Sequence, residues 1–143
     1  MKNFRFIFVF LAFAGIASCS NDDDGNSNVP PDNDKILGTW KIQNQFFDGE
    51  EEPLTDCEKQ TTVEFMANGT VKSTDYFADF DTEECVSEVS TQKWENRGNN
   101  VYRITEGEQV DDVTITFSNN NNTFTITAED EDGTYSTSFI RVN

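Results

Sequence analysis

From Lys35 onward, apolar and polar residues alternate with a period of two, and this alternation constrains the fold more than any other feature of the chain. Trp40, Ile42 and Phe46 alternate with polar neighbours, as the half-buried face of a strand requires. The same pattern recurs along the chain as far as Phe139 and predicts about eight strands. No stretch of the sequence keeps a helical period for more than one or two turns. The sequence therefore predicts an all-β domain.

Short segments rich in Asn, Gly and Asp separate the predicted strands. They are "ANGT", "NRGNN", "SNNNNT" and "EDEDG", and such segments are typical of hairpin turns. Sequential strands joined in this way form an antiparallel meander in which each strand has one apolar face to bury. Closing the meander into an up-and-down barrel buries those faces and removes the exposed sheet edges. We expect an antiparallel barrel of about eight strands, with a two-sheet β-sandwich as the alternative.

The first eighteen residues differ in kind from the rest of the chain. Two basic residues precede an apolar run at 6–16, which is too short to span a bilayer as a helix and predicts a secretory signal. The run ends in "IASC", residues 16–19, which resembles the lipobox of bacterial lipoproteins. The resemblance implies cleavage before Cys19 and acylation of that cysteine, with residues 1–18 as a lipoprotein signal peptide. A conventional signal peptide followed by an incidental cysteine is the alternative.

Residues 19–34, "CSNDDDGNSNVPPDND", have no hydrophobic pattern and are rich in Asp, Asn, Gly and Pro. This composition predicts a disordered acidic tether that follows the lipidated Cys19. The "SNDDD" also resembles the acidic signal that sends Bacteroidetes-type lipoproteins to the outer face of the outer membrane, with a merely solvated linker as the alternative. The expected location is the outer membrane, through a lipid anchor, with display at the cell surface where the resemblance holds. Residues 35–143 are left for the barrel domain.

Cys57 and Cys85 remain as an even pair once Cys19 is assigned to lipid. In an exported chain, such a pair predicts a disulfide bond. Two free thiols or two metal ligands are the alternative, although the sequence contains no histidine and no CxxC motif. Cys57 and Cys85 fall at the starts of the predicted second and fourth strands. Strands two places apart in a sheet are separated by about 10 Å, which is too far for a disulfide. At least one of the two cysteines is therefore expected to lie in a loop.

The chain is strongly acidic, with 27 Asp and Glu against 10 Lys and Arg and a formal net charge of −17. We do not expect nucleic acid or bare anionic membrane as partners, because both are bound through Lys and Arg. In an up-and-down barrel, alternate connections share one rim. The connections at 48–56, 78–85, 105–112 and 128–133 share a rim and hold 17 of the 27 acids, whereas those of the other rim hold none. This distribution predicts an acidic mouth that attracts cations or basic partners and repels fatty-acid carboxylates. Acids that serve solubility alone, or that bind calcium, are the alternatives.

The segments "ILGTWKI" and "FIRVN" carry a family resemblance. Gly38, Thr39 and Trp40 look like the Gly-x-Trp signature of lipocalins and their relatives, and Arg141 lies where the last strand of that family supplies an arginine. From about residue 35 to 143, the chain resembles the lipocalin-like domain of small Bacteroidetes-type lipoproteins. The resemblance implies that Gly38, Trp40 and Arg141 close one end of the barrel, with Arg141 stacked on Trp40 as a cation–π pair. The chain departs from full lipocalins in being shorter and in lacking a long carboxy-terminal helix.

Six aromatic residues on the predicted inward faces are candidates to line a ligand site. They are Phe65, Trp94, Tyr102, Phe117, Phe124 and Tyr135. Whether the interior is an empty cavity or is packed with side chains stays open at this point.

The predicted function is non-enzymatic binding by a lipid-anchored protein, whose acidic mouth takes a small neutral or cationic ligand or a basic protein patch. The alternative is an accessory or structural lipoprotein of a cell-envelope or surface complex, with a filled barrel. The sequence has no histidine, no motif for an activated nucleophile and no phosphate-binding loop. We therefore expect no catalytic residues, no metal ligands and no cofactor.

Overall fold

A computed structural model describes residues 33–129 and 131–142. The strands of this part are β1 (Gly38–Phe47), β2 (Glu50–Glu52), β3 (Thr62–Phe65), β4 (Thr70–Ala78), β5 (Cys85–Gly98), β6 (Val101–Glu106), β7 (Gln109–Ser118), β8 (Thr123–Glu129) and β9 (Thr134–Arg141). Two short 3-10 helices span Glu58–Gln60 and Asn119–Asn121. No helix in this part of the chain is long and apolar enough to cross a membrane. The predicted signal peptide, Cys19 and all but the last two residues of the predicted tether lie outside the described residues.

Eight of these strands form one closed antiparallel barrel in sequence order. The ring closes where β1 pairs with β9, with Trp40 opposite Arg141 and Phe47 opposite Tyr135. The remaining strand, β2, is short and pairs only with the end of β1. The up-and-down barrel predicted from the period-two pattern is confirmed, and the sandwich alternative is wrong.

The connection after β1 contains more structure than its sequence predicts. The pattern predicts an acidic loop through Asp56 and a second strand from Cys57. Instead, residues 50–52 form β2, Cys57 precedes the first 3-10 helix, and the next barrel strand begins at Thr62. The glutamates of β2 are exposed on both faces, so no alternation of apolar and polar residues could have indicated this strand.

Asparagine residues form the tight turns before β6 and after β7. Asn99 and Asn100 join β5 to β6, residues 119–121 join β7 to β8, and all five have positive φ angles. Asparagine adopts this left-handed conformation more readily than other non-glycine residues, because its short polar side chain bonds to the local backbone. The turns predicted from "NRGNN" and "SNNNNT" therefore form at the predicted places.

The buried core lies in one half of the barrel, at the end where these asparagine turns lie. We call this the closed end. Its largest fully buried side chains are Trp40, Trp94, Tyr102, Phe124 and Phe139. Their rings approach one another closely, with centroids 4.7 Å apart for Trp40 and Phe124 and 4.8 Å apart for Phe124 and Phe139. Side chains thus fill the interior at this end, as in other small barrels.

At the opposite end, the strands separate into hairpins. β5 pairs with β4 from Cys85 to Lys93, but it pairs with β6 only from Lys93 to Gly98. β7 pairs with β6 as far as Thr114 and with β8 only from Ile115 onward. The β4–β5 and β6–β7 hairpins therefore diverge above the core. We call the space bounded by residues 73–92, 104–113, 45–47 and 135–137 the cup.

The acidic connections all lie around the cup. The connections from β1 to β3, from β4 to β5, from β6 to β7 and from β8 to β9 are at this end, because successive strands of the barrel alternate in direction. The connections at the closed end, residues 66–69, 99–100 and 119–122, contain no acid. The arrangement of charge predicted from loop order is therefore present in the fold.

Candidate binding site

Arg141 and Trp40 form the floor of the barrel. The guanidinium carbon of Arg141 lies 4.1 Å from the centre of the Trp40 ring. Its nitrogens donate hydrogen bonds of 2.6 Å to the carbonyl oxygens of Leu37 and Lys35. Gly38 has a φ of +115°, and a Cβ atom there would lie only 2.9 Å from Nη1 of Arg141. Glycine thus leaves the space that the guanidinium occupies, and the structure brings Gly38, Trp40 and Arg141 together at the closed end.

Asp34 fastens the segment that leads into the barrel. Its carboxylate accepts hydrogen bonds from the Tyr102 hydroxyl at 3.0 Å, from the Ile36 backbone N–H at 3.0 Å, and from the Asn96 side-chain amide. Burial raises the pKa of Tyr102 above its ordinary value of 10, and the hydrogen bond to Asp34 and the charge of Asp34 raise it further. The protonated hydroxyl therefore remains a donor, and it holds the entering chain against the core.

Five of the six aromatic residues predicted to line a ligand site pack on one another in the closed half. They are Phe65, Trp94, Tyr102, Phe117 and Phe124. The centroids of neighbouring rings lie 5.7 to 6.3 Å apart, and all five ring pairs are tilted or edge-to-face. These rings are neighbours in a packed core. Their role in binding a ligand stays a prediction.

Tyr135, the sixth predicted aromatic residue, lies apart from the others, beside the cup. Its ring centroid is 4.8 Å from that of Phe47, its partner across the β1–β9 pair. Both side chains are half-buried. Phe77, near the end of β4, is also half-buried. It lies two residues from Asp75 and therefore on the same, inner face of the strand. The cup thus has aromatic residues of its own, and two of the three were not among the predicted candidates.

Cys57 and Cys85 form a disulfide bond, with their Cα atoms 5.6 Å apart. Cys85 begins β5, whereas Cys57 lies in the loop before the first 3-10 helix, as the strand-spacing argument requires of one partner. The predicted disulfide is confirmed. The Thr61 hydroxyl accepts a hydrogen bond of 2.9 Å from the Tyr76 backbone N–H. Together, these two links fasten the 53–61 segment to the β4–β5 hairpin and cover the side of β4 beyond the end of β3.

Two carboxylates stand opposite each other on the inner face of the cup. Asp75 on β4 is the register partner of Glu88 on β5. Asp75 lies four residues from the buried Val71 on β4, and Glu88 lies six residues from the buried Trp94 on β5. An even spacing in a strand puts both residues on the same face, so Asp75 and Glu88 both face inward. Burial raises the pKa of Asp75, a hydrogen bond of 2.8 Å from the Ser73 hydroxyl opposes that rise, and the charge of Glu88 adds to it. Within the described chain, neither carboxylate forms a salt bridge.

Other acids around the cup have structural partners. Asp48 accepts a hydrogen bond of 2.9 Å from the Thr134 backbone N–H, which links the turn after β1 to the start of β9. Asp79 accepts hydrogen bonds from the backbone N–H groups of Asp81 and Thr82 and so shapes the turn after β4. These acids are explained by turn geometry. Asp75 accepts a hydrogen bond from the Ser73 hydroxyl, but turn geometry does not explain why Asp75 and Glu88 lie opposite each other in mid-strand.

A groove of about 370 Å³ marks the place where β5 and β6 part. It is lined mainly by polar residues, which include Thr91, Gln92, Thr105 and Glu106. Gln92 donates a hydrogen bond of 2.9 Å to Glu106 across the fork. Within the described residues, no group of three or more acids or cysteines is placed to hold a metal ion.

Comparison with known proteins identifies the family. Residues 36–126 match the sequence pattern of a family described as a lipocalin-like domain. This chain belongs to the lipocalin-like domain family. Lipocalin-like domains are generally binding proteins rather than enzymes. The barrel of this lipocalin-like domain is similar to the solved structure of a redesigned β-barrel, with 14% sequence identity over 76% of this chain and 92% of the other, at a TM-score of 0.41. No curated protein matches the chain.

Asp75 and Glu88 of this lipocalin-like domain were not among the site residues predicted from its sequence. The sequence nevertheless indicated the face on which each carboxylate lies. A period of two marks the inner face of β4, and it passes through Val71, Ser73, Asp75 and Phe77. The same rule places Glu88 on the inner face of β5, in register with Trp94. The pairing of the two carboxylates depends on the β4–β5 register, which the pattern of either strand alone does not reveal.

Proposed function

We propose that this chain is a lipid-anchored, non-enzymatic binding protein of the cell envelope whose cup takes a small cationic ligand. The opposed carboxylates of Asp75 and Glu88 carry the proposal. Like charges directly opposite each other in a sheet are destabilising, and here no basic side chain of the described chain offsets them. A cation bound between them would remove the repulsion and would compensate for the burial of Asp75.

The aromatic residues of the cup favour an organic cation over a bare metal ion. Phe47 and Tyr135 lie in contact beside the cup, and Phe77 is on the same strand as Asp75. Aromatic faces attract alkylammonium groups through cation–π interaction, which is worth about 0.5 to 2 kcal/mol. The surrounding acidic rim would concentrate cations and repel anionic ligands such as fatty acids.

The anchor is proposed from the sequence "IASC" at residues 16–19. Asp34 holds the start of the described chain at the closed end, beside Tyr102 and Asn96. A tether that leads from this point to an acylated Cys19 would place the closed end toward the membrane and the cup away from it. We propose the outer membrane as the location, with the cup displayed at the cell surface.

Titration of the full chain, purified in a mild detergent, with putrescine and with tetramethylammonium would test the ligand class, with glucose and acetate as neutral and anionic controls. We expect the cations alone to bind. Asp75→Asn and Glu88→Gln should each weaken binding by about fivefold or more, since one charge contact is worth about 1 kcal/mol.

Glu64→Gln is the matched control. Glu64 is an exposed residue opposite Lys72 on the outer wall, so the substitution removes the same charge without touching the cup. Its affinity should remain within about twofold of the unaltered protein, as expected for a remote surface substitution. Equal losses in all three variants, or no cation binding at all, would refute the proposed site.

The anchor has a separate test. Cys19→Ala should move the protein from the membrane fraction to the soluble fraction and should abolish incorporation of labelled palmitate, because stable anchoring requires acyl chains. Cys57→Ser, which removes a different cysteine, should leave the protein in the membrane fraction. Membrane retention of the Cys19→Ala variant after a carbonate wash would contradict the proposal.

The filled closed half favours a second candidate, an accessory or structural lipoprotein of an envelope or surface complex. Phe80, in the turn after β4, is 73% exposed and would suit contact with another protein. In that case, a partner should co-purify from the cell envelope, and Phe80→Ser should release it while Asp75→Asn does not. Retention of the partner by the Phe80→Ser variant would count against this candidate.

A further inference from the structure

β5 has a long unpaired edge above the core. It pairs with β4 from residue 85 to residue 93, whereas β6 reaches it only at Lys93. In residues 33–129 and 131–142, no other strand lies beside the upper part of β5. The edge from Cys85 to Thr91 would be about 20 Å long at 3.3 Å per residue, which matches an average strand.

The backbone groups of this edge alternate in direction. The Trp94 N–H donates a hydrogen bond of 2.8 Å to the Gly69 carbonyl oxygen, on the β4 side. Since successive residues of an antiparallel strand bond to opposite sides, Ser87, Val89 and Thr91 direct their N–H and C=O groups away from β4. These groups have no backbone partner in the described chain. The edge therefore offers three donors and three acceptors in strand geometry.

The surroundings of the edge select the charge of a partner. A strand added here would run between β5 and the tip of the β6–β7 hairpin, which carries Glu106 and Glu108. Its inward side chains would approach Glu88, and its outward side chains would lie beside Val89, which is 54% exposed. Alternating basic and β-branched residues would satisfy both faces.

The same charges argue against a second copy of this chain as the occupant. Antiparallel pairing of two β5 edges would bring glutamates of like charge into one sheet, which is unfavourable. Inward-pointing charges on an edge strand are a known protection against such self-pairing. A basic strand is the occupant that these charges do not exclude.

We propose that the upper edge of β5 binds an extended, basic segment of a partner protein as an added β-strand. The added strand would fill the gap between the β4–β5 and β6–β7 hairpins and would share Glu88 with the cup. Val89→Pro separates the two proposals, because it leaves Asp75 and Glu88 in place. Backbone hydrogen bonds to Ser87, Val89 and Thr91 supply the strand pairing, and Glu88, Glu106 and Glu108 supply the preference for lysine and arginine.

The test uses the full chain in a mild detergent and a fluorescent peptide of alternating threonine and lysine. We expect binding that weakens with added salt, together with slower amide hydrogen exchange at residues 87, 89 and 91. A peptide with glutamate in place of lysine should not bind. Glu88→Gln should weaken binding of the lysine peptide by about fivefold, as expected for the loss of one charge contact.

Val89→Pro is the decisive variant. It removes a backbone N–H that points away from β4, at an edge position where proline is tolerated. We expect an affinity loss of about tenfold, because the proline removes one hydrogen bond and obstructs the incoming strand.

Val110→Pro is the matched control. Val110 lies on β7 and is 52% exposed, and its backbone N–H points away from its hairpin partner β6. The affinity of this variant for the peptide should stay within about twofold of that of the unaltered protein.

Three outcomes would overturn the proposal. The first is a peptide that binds without protecting the amides of residues 87, 89 and 91. The second is equal binding by the Val89→Pro and Val110→Pro variants. The third is concentration-dependent protection of the same amides without any peptide, which would make a second copy of this chain the occupant.

Discussion

Asp75 and Glu88 face each other across neighbouring strands, with both carboxylates directed into the cup. Burial raises the pKa of Asp75, the hydrogen bond from Ser73 opposes that rise, and the charge of Glu88 adds to it, so the ionised carboxylate is expected to be unfavourable in the folded protein. An arrangement that destabilises the protein by itself is typical of a binding site, where the ligand supplies the missing partner.

Asp75→Asn should therefore raise the free energy of unfolding at neutral pH. The pKa of Asp75 in the folded protein is above its ordinary value of 3.8, so its favourable contribution is complete below that value and is lost as the pH rises through the folded-state pKa. The Asp75→Asn variant cannot ionise at this position, so its stability should not fall in this way as the pH rises. Urea unfolding from pH 3 to pH 8 measures the difference.

Asp112→Asn provides a control of opposite sign. Arg103 donates hydrogen bonds of 2.8 and 2.9 Å to the two carboxylate oxygens of Asp112 and lowers its pKa. The stabilisation from this pair is present above the ordinary pKa and is lost as the pH falls through the folded-state value. The Asn variant should therefore be less stable than the unaltered protein at neutral pH. Equal pH profiles for the Asp75→Asn and Asp112→Asn variants would contradict the assignment of Asp75 to a strained pair.

Arg141→Lys should lower the free energy of unfolding by about 1 to 3 kcal/mol. Lysine keeps the charge but cannot bond to both backbone carbonyls while lying flat on Trp40. Chemical unfolding followed by tryptophan fluorescence measures the change. Arg97→Lys, at an exposed residue 3.6 Å from Glu95, should change stability by less than about 0.5 kcal/mol. Similar losses in both variants would show that the floor contact has no special weight.

Removal of the disulfide by the double change Cys57→Ser and Cys85→Ser should lower stability by about 3 to 4 kcal/mol, on the chain-entropy estimate for a loop of this length. Hydrogen exchange should become faster mainly in residues 53–61 and 78–85, because the bond joins these segments at the rim. Reduction of the unaltered protein should reproduce the loss, and the double variant should be insensitive to reductant. Faster exchange throughout the barrel would contradict a local role.

Tyr102→Phe should cost about 1 kcal/mol near neutral pH through the lost hydrogen bond to Asp34. Because the pKa of Tyr102 is raised in the folded protein, its contribution is complete below the ordinary value of 10 and is lost at higher pH. The stability difference between the two proteins should therefore shrink above pH 10. Thermal unfolding from pH 7 to pH 11 would reveal it, and a difference that stays constant would refute the link to ionisation.

Local sequence patterns were sufficient for the existence of the eight barrel strands, for the asparagine turns and for the division of charge between the two ends. Trp40 and Ile42 alternate with polar neighbours, and this period of two is a property of any half-buried strand, whatever lies beside it. The asparagine turns act through their own backbone conformations. The order of the connections decides at which end of the barrel the acids lie, because successive strands of a meander reverse direction.

Contacts that depend on the relative position of two or more strands could not be predicted from the sequence. The contact between Asp34 and Tyr102, and the separation of Tyr135 from the other predicted aromatic residues, depend on how segments far apart in the chain are brought together. β2 was missed because its exposed glutamates carry no burial signal.

The sequence by itself determined an antiparallel all-β barrel with one acidic end, because those properties arise from local periodicity, turn chemistry and connection order. Only the tertiary structure decided that the closed half is packed with aromatic rings and that Asp75 meets Glu88. The tertiary structure alone also decided that β5 keeps an unpaired edge. The physical reason is the stagger between strands, since register selects which side chains meet and where each strand loses its neighbour.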